Sequence, residues 1–330
     1  MDLGVQFEPQ FGFKFEEILA IANDARAAGF TRLWVSDHLF NDPDAIATDC
    51  LEAWTLLAAL AVKTEGIRIG AMVTCQSYRN PALLAKIAAD VDVMSGGRLE
   101  FGVGAGWKEL EYRAYGYPFP DGPTRVTQLI ETLEICTRMW KEPRATYHGK
   151  HYRIDDALCS PKPMQRPLPI WIGGSKPRVM RAGARYASAF NFNLGTSAQT
   201  ETLKTAMRDM DEICRAVKRD PRTLLRSSFL MSTVGSTPAR SDALLKQFAT
   251  NQETTPAKIA MPTFGIGPSP TTNALKAATS ANQTTNAKSV SRSWNVIARR
   301  GTRRAGRRSG GRSASASRRR RRSARMTRAT

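Results

Sequence analysis

The sequence predicts an α/β fold of the TIM-type (β/α)8 barrel class, with the eighth strand–helix unit missing or degenerate. Three observations lead there. Short apolar runs and amphipathic runs alternate seven times between residues 3 and 234, as in a parallel sheet with right-handed crossovers. Several apolar runs end in glycines or in chemistry-bearing side chains, as strands do when their carboxyl ends share one functional face. After about residue 260 the apolar periodicity fades into Thr, Ser, Ala and Asn. A chain of 330 residues is long enough for one such barrel. Periodicity alone leaves a doubly wound open sheet as the alternative.

Leu3 to Phe7 alternates as a first strand, and Pro9 to Gly12 breaks it. Phe15 to Ala28 is an amphipathic helix ended by Gly29. Leu33-Trp34-Val35-Ser36 is a second strand that delivers Asp37 and His38 at its carboxyl end. A polar loop at 41–49 precedes a helix from Leu51 to Val62 with Trp54 on its apolar face. Ile67 to Val73 is a third strand. Asn80-Pro81 opens the next helix, with Pro81 in its first turn, and Ser95-Gly96-Gly97 ends it. Arg98 to Val103 is a fourth strand, running into Gly104-Ala105-Gly106-Trp107.

A short helix near 108–115 and a longer one from Arg125 to Trp140 come next, with Trp140 in the core. Residues 143–167 read as an insertion: a small hairpin around Tyr147 to Tyr152, then the Pro-rich Ser160 to Pro167. Ile170 to Gly174 is a fifth strand and Pro177 to Gly183 a helix. Ala187 to Phe192, a helix over about 198–218, and Leu224 to Val234 complete the seventh unit.

The formal charge of +20 sits almost wholly behind this body. Beyond Val234 there are roughly twenty Lys and Arg against two acids, Asp242 and Glu253. The segment 261–330 reads as a basic, low-complexity, disordered tail, and residues 1–260 as the barrel domain. Two readings of the tail stand. One is non-specific contact with nucleic acid through phosphates, which makes a nucleic-acid-binding protein the rival from another class. The other is a slip of reading frame near Met261 in a GC-rich gene. Without the eighth unit, the first and seventh strands are expected to leave an open edge.

Five scattered cysteines without CxxC spacing give no disulfide framework and no zinc site, which fits a reducing cytoplasm. No apolar run reaches the roughly eighteen residues of a membrane span. His148 and His151 fall in the hairpin among solvated neighbours, which argues against a metal role.

The chemistry is expected where strand ends meet. Asp37 and His38 follow strand two, Gly104 to Trp107 strand four, and Gly173-Gly174-Ser175 strand five. Glycines there allow backbone to approach a ligand, and amides ahead of a helix favour an anion such as phosphate. Tight strand–helix packing explains the same glycines equally well. Trp107 projects where it can flank a planar ligand.

Assembled, these residues resemble the bacterial luciferase-like superfamily, in particular its branch using coenzyme F420. The resemblance rests on Trp34 to His38, Ile69 to Val73, Arg79-Asn80-Pro81, Ser95 to Leu99, Gly102 to Trp107, Pro161-Lys162-Pro163 and Pro169 to Gly174, in the family's order. It implies a dimeric barrel holding the deazaflavin at the strand carboxyl ends. Asp37 would meet the ring's polar edge and His38 the reacting carbon, as proton donor or acceptor. Met72-Val73 falls where relatives carry a non-prolyl cis peptide against the ring face. Ala105, Gly106 and Trp107 would lie along the cofactor, and Gly173, Gly174 and Ser175 at its phosphate. Relatives that oxidise sugar phosphates place a glutamate at the position of Trp107, so a more apolar small-molecule substrate is implied. The function expected is hydride exchange between F420 and that substrate, with a reduced-FMN monooxygenase on the same fold as the rival enzyme.

Overall fold

The seven expected barrel strands form, with four further strands, in a computed structural model that describes residues 2–192, 200–232, 246 and 294–299. In chain order these are β1 (Asp2–Phe7), β2 (Arg32–Val35), β3 (Arg68–Ala71), the two-residue β4 (Thr74–Cys75) and β5 (Leu99–Gly104). A separate hairpin of β6 (Ala145–His148) and β7 (Arg153–Ala157) follows, then β8 (Ile170–Gly174), β9 (Ala189–Phe192), β10 (Leu225–Ser232) and β11 (Trp294–Arg299). The main sheet runs β3-β2-β1-β11-β10-β9-β8-β5-β4, and a further β3–β5 pairing joins its ends. From β10 back through β9, β8, β5, β3, β2 and β1 every neighbour is parallel. This is a (β/α)8-type ring whose eighth position is degenerate.

The eighth position also corrects one expectation. β11 lies antiparallel to both β1 and β10, pairing Asp2 with Arg299 and Ser227 with Arg299. The edge expected to stand open is therefore filled, and residues 294–299 are a strand inside the segment expected to be disordered. An unpaired edge offers a row of amides and carbonyls that any extended segment can satisfy, and Val296-Ile297 favours the extended state. The rest of 261–330, with the proposed frame slip, falls outside the described residues. These elements belong to one compact unit, Met1–Arg300.

The helices are α1 (Phe15–Ala27), α2 (Ala53–Lys63), α3 (Pro81–Met94), α4 (Glu109–Ala114), α5 (Gly122–Lys141), α6 (Pro177–Tyr186) and α7 (Thr200–Ala216). Their starts are set by side chains that accept orphan amides. Glu52 accepts from the amides of Trp54 and Thr55, and Asn80 from Ala82. Asp121 accepts from Thr124 at 2.8 Å, which starts α5 three residues before the expected Arg125. α6 runs past its expected stop at Gly183. That glycine is buried against β9, and a Cβ there would come within 2.8 Å of the Phe190 ring. Close packing, not chain termination, explains it.

Inside the ring, Trp34 and Trp171 meet edge to face at 4.8 Å. The buried Glu100 accepts from Arg32, Arg68 and the Trp171 indole near the amino ends of the strands. Among the described residues no helix is long and apolar enough to cross a membrane.

Candidate active site

A cavity of about 890 Å³ opens at the carboxyl ends of the parallel strands. Every residue that the resemblance placed at the cofactor lines it: Asp37, His38, Met72, Val73, Ala105, Gly106, Trp107, Gly173, Gly174 and Ser175. Parallel strands bring this about, because each loop leaving a strand emerges on the same rim. Residues 38, 104–106 and 173–174 thus share one mouth.

His38 is held by a residue the sequence did not mark. Glu111 on α4 is fully buried, and its carboxylate lies 3.0 and 3.1 Å from His38 Nδ1. It also accepts from the Tyr78 hydroxyl at 2.7 Å, the Leu39 amide at 3.0 Å and Lys108 Nζ at 3.2 Å. Burial alone would raise its pKa. The hydrogen bond and charge of His38, with Tyr78 and the Leu39 amide, outweigh that and hold it at about 2. An ionised carboxylate only accepts, so His38 Nδ1 carries the proton and Nε2 is left for the cavity.

Asp37 does something else. Although adjacent to His38 in the chain, it bonds other groups. Both its oxygens are bound by Arg79, at 2.7 and 2.9 Å, and one also accepts from the Cys75 amide at 3.0 Å. Arg79 bonds Glu52 in addition, so its pKa is raised: burial opposes the charge, but the two carboxylates prevail. The Asp37–Arg79 fork ties the end of β2 to the loop after β4 and thereby fixes the backbone that presents His38.

The floor is made by the loop after β3. The Met72–Val73 peptide is cis, as the resemblance implied. Val73 points at the glycine turns: a Cβ on Gly104 would lie 2.6 Å from Val73 Cγ2, and one on Gly173 3.2 Å from Cγ1. These two glycines are therefore required by packing as well as by any ligand. Gly106 has φ +76°, and a Cβ there would run into the Tyr112 hydroxyl and come within 2.7 Å of Cys75 Sγ. Cys75 lines the cavity, yet burial first of all pushes its thiol up to about 11, so it is no nucleophile near neutrality.

One end of the cavity is built for an anion. Gly173-Gly174-Ser175 leads into α6, whose N-terminus has no side-chain cap, and Pro177, Arg178 and Val179 of its first turn line the cavity. Free first-turn amides with Lys176, Arg178 and Arg125 nearby suit a phosphate. Trp107 is 72% exposed and stands edge-on to the His38 ring, centroids 5.7 Å apart. The hairpin histidine His148 lies elsewhere and meets Asp155 at 2.6 Å. A cavity lined by Val73, the His38 imidazole and the uncapped start of α6 fits a flavin-like phosphorylated ring system.

The chain matches the luciferase-like monooxygenase family over residues 3–321. It is 32% identical over 212 residues to an F420-dependent glucose-6-phosphate dehydrogenase of Microbacterium testaceum (strain StLB037), covering 61% of this chain and 62% of that one. It is 32% identical over 148 residues to an FMNH(2)-dependent dimethylsulfone monooxygenase of Pseudomonas putida, covering 45% and 40%. Its fold resembles an F420-dependent secondary alcohol dehydrogenase solved with an F420-acetone adduct, at a TM-score of 0.67 and 21% identity over 84% of this chain and 82% of that one. The chain spans about three fifths of the length of the dehydrogenase it matches. With the barrel, the cis peptide and the shared mouth in place, the chain belongs to the luciferase-like monooxygenase family.

Proposed function

We propose that this chain is an oxidoreductase that exchanges a hydride between coenzyme F420 and a small, rather apolar organic substrate, as a homodimer in the cytoplasm. Four features support the cofactor: the slot over Val73, the glycine turns, the uncapped α6 end and the identity to F420-dependent relatives. Bound there, the deazaflavin would supply or accept the hydride. The chain's own part is to move the matching proton. His38 Nε2 is the group for it, since its partner nitrogen is locked to Glu111 and the ring faces the cavity. This locked imidazole is the observation that carries the reading.

The apolar substrate follows from Trp107. At the lip of the cavity it presents an indole where a sugar-phosphate enzyme would need a carboxylate, and Asp37 and Glu111 are already engaged by Arg79 and His38. Anaerobic turnover with F420 tests this on a series of small alcohols and carbonyl compounds of rising apolarity, with glucose 6-phosphate as the contrast. The expected result is that kcat/KM rises along the series and exceeds that for the sugar phosphate. The reverse order would overturn the substrate assignment.

A further inference from the structure

A second cavity, about 230 Å³, lies between α5 and α6 and is lined by Ile130, Arg178, Arg181, Ala182, Arg185 and Tyr186. Arg178 lines this cavity and the main one. The three arginines are three and four residues apart, so they share one face of α6. Their guanidinium stems leave the helix at about 5 and 10 Å along its axis from Arg178, at roughly 1.5 Å per residue. Arg178 is fixed to α5 through the Pro123 carbonyl and Thr127 Oγ1. Arg181 and Arg185 are exposed, and neither bonds a described residue.

The carboxylate that Tyr186 brings to this lining is engaged elsewhere. Glu134 accepts from the Tyr186 hydroxyl at 2.7 Å and pairs with Arg138 on its own helix. Three like charges on one helical face, without counter-charges, disfavour the free helix. Such a row gains most from a ligand with several spaced negative charges. It starts at the anion end of the main cavity and leads away from it.

We propose that Arg181 and Arg185 form a second anion site, which takes the oligoglutamate tail carried by the F420 whose phosphate sits at the start of α6. The inference rests on the deazaflavin reading above. The tail's carboxylates repeat along a flexible chain, and the arginine row offers matching forks at two further points beyond the phosphate. Binding of this kind is surface electrostatics, so each contact is modest and screened by salt.

The test is equilibrium binding to the full chain at low salt of three probes: the tail-free and phosphate-free deazaflavin riboside, F420 with a short tail, and F420 with a long tail. Affinity should rise with tail length. In the Arg181→Ala/Arg185→Ala variant the long-tail advantage should fall by about five- to tenfold, two exposed pairs' worth, while riboside affinity stays at its native value. Arg208→Ala on α7 removes a charge elsewhere and should leave the advantage in place. Equal binding of short and long tails to the native chain overturns the inference and spares the cofactor reading. A preference that survives in the double variant assigns the tail to other cations and overturns it too. Failure of all three probes to bind removes the cofactor reading and this inference together.

Discussion

His38→Ala is expected to slow hydride exchange by about a hundred- to ten-thousand-fold while changing deazaflavin affinity only a few-fold. The reason is the division of labour in the cavity. Val73, the glycine turns and the α6 terminus make the slot without the imidazole, so binding survives its loss. The other cavity acids are engaged: Cys75 is held protonated, Asp37 is forked by Arg79, Glu111 lies buried behind the ring, and Glu8 accepts from Gln6 and Gln10. Added imidazole should restore part of the rate. Stopped-flow measurement of the single-turnover rate decides it, and an unchanged rate would remove His38 from the chemistry.

Glu111→Gln is expected to lower kcat by at least about tenfold with little change in KM. The amide keeps the shape but no longer only accepts, so it does not fix the Nδ1 proton as the carboxylate does, and its NH2 opposes the donors Tyr78 and Lys108. An unchanged kcat would show that this pairing does not position His38. Stability gives an independent readout. The folded carboxyl stands at about 2 against an ordinary 4.5, so its contribution is complete above about pH 4.5 and is lost as pH falls toward 2. That contribution is of order 3 kcal/mol at about 1.4 kcal/mol per pKa unit. The native chain should lose this much more stability than the variant on acidification across that window. Parallel acid-unfolding curves would show that Glu111 is not held down as described.

Most of this site was legible in the sequence because parallel strands convert order along the chain into position around a rim. Knowing that His38, Gly106 and Gly174 each follow a strand was enough to place them together. Glu111 was not legible. It lies 73 residues from His38 on a short helix rich in charged side chains, and nothing local distinguishes a buried acid from its exposed neighbour Glu109. Asp37 was legible as a site residue, but its partner Arg79, 42 residues on, was not. Adjacent residues leaving a strand point to different sides, so sequence adjacency argued against a direct pair with His38. Gly183 shows a third limit: a glycine that would end a helix and one that admits Phe190 look the same in one dimension. The strand at 294–299 was hidden because averaging over an Arg-rich stretch drowned the Val296-Ile297 pair.

The central claim is that the mouth around His38 takes a deazaflavin. Titrating the purified chain with oxidised F420 and, separately, with FMN, following ligand fluorescence, tests it most directly. A saturable F420 complex that outcompetes FMN is the predicted result, and tight binding of FMN with none of F420 would contradict it.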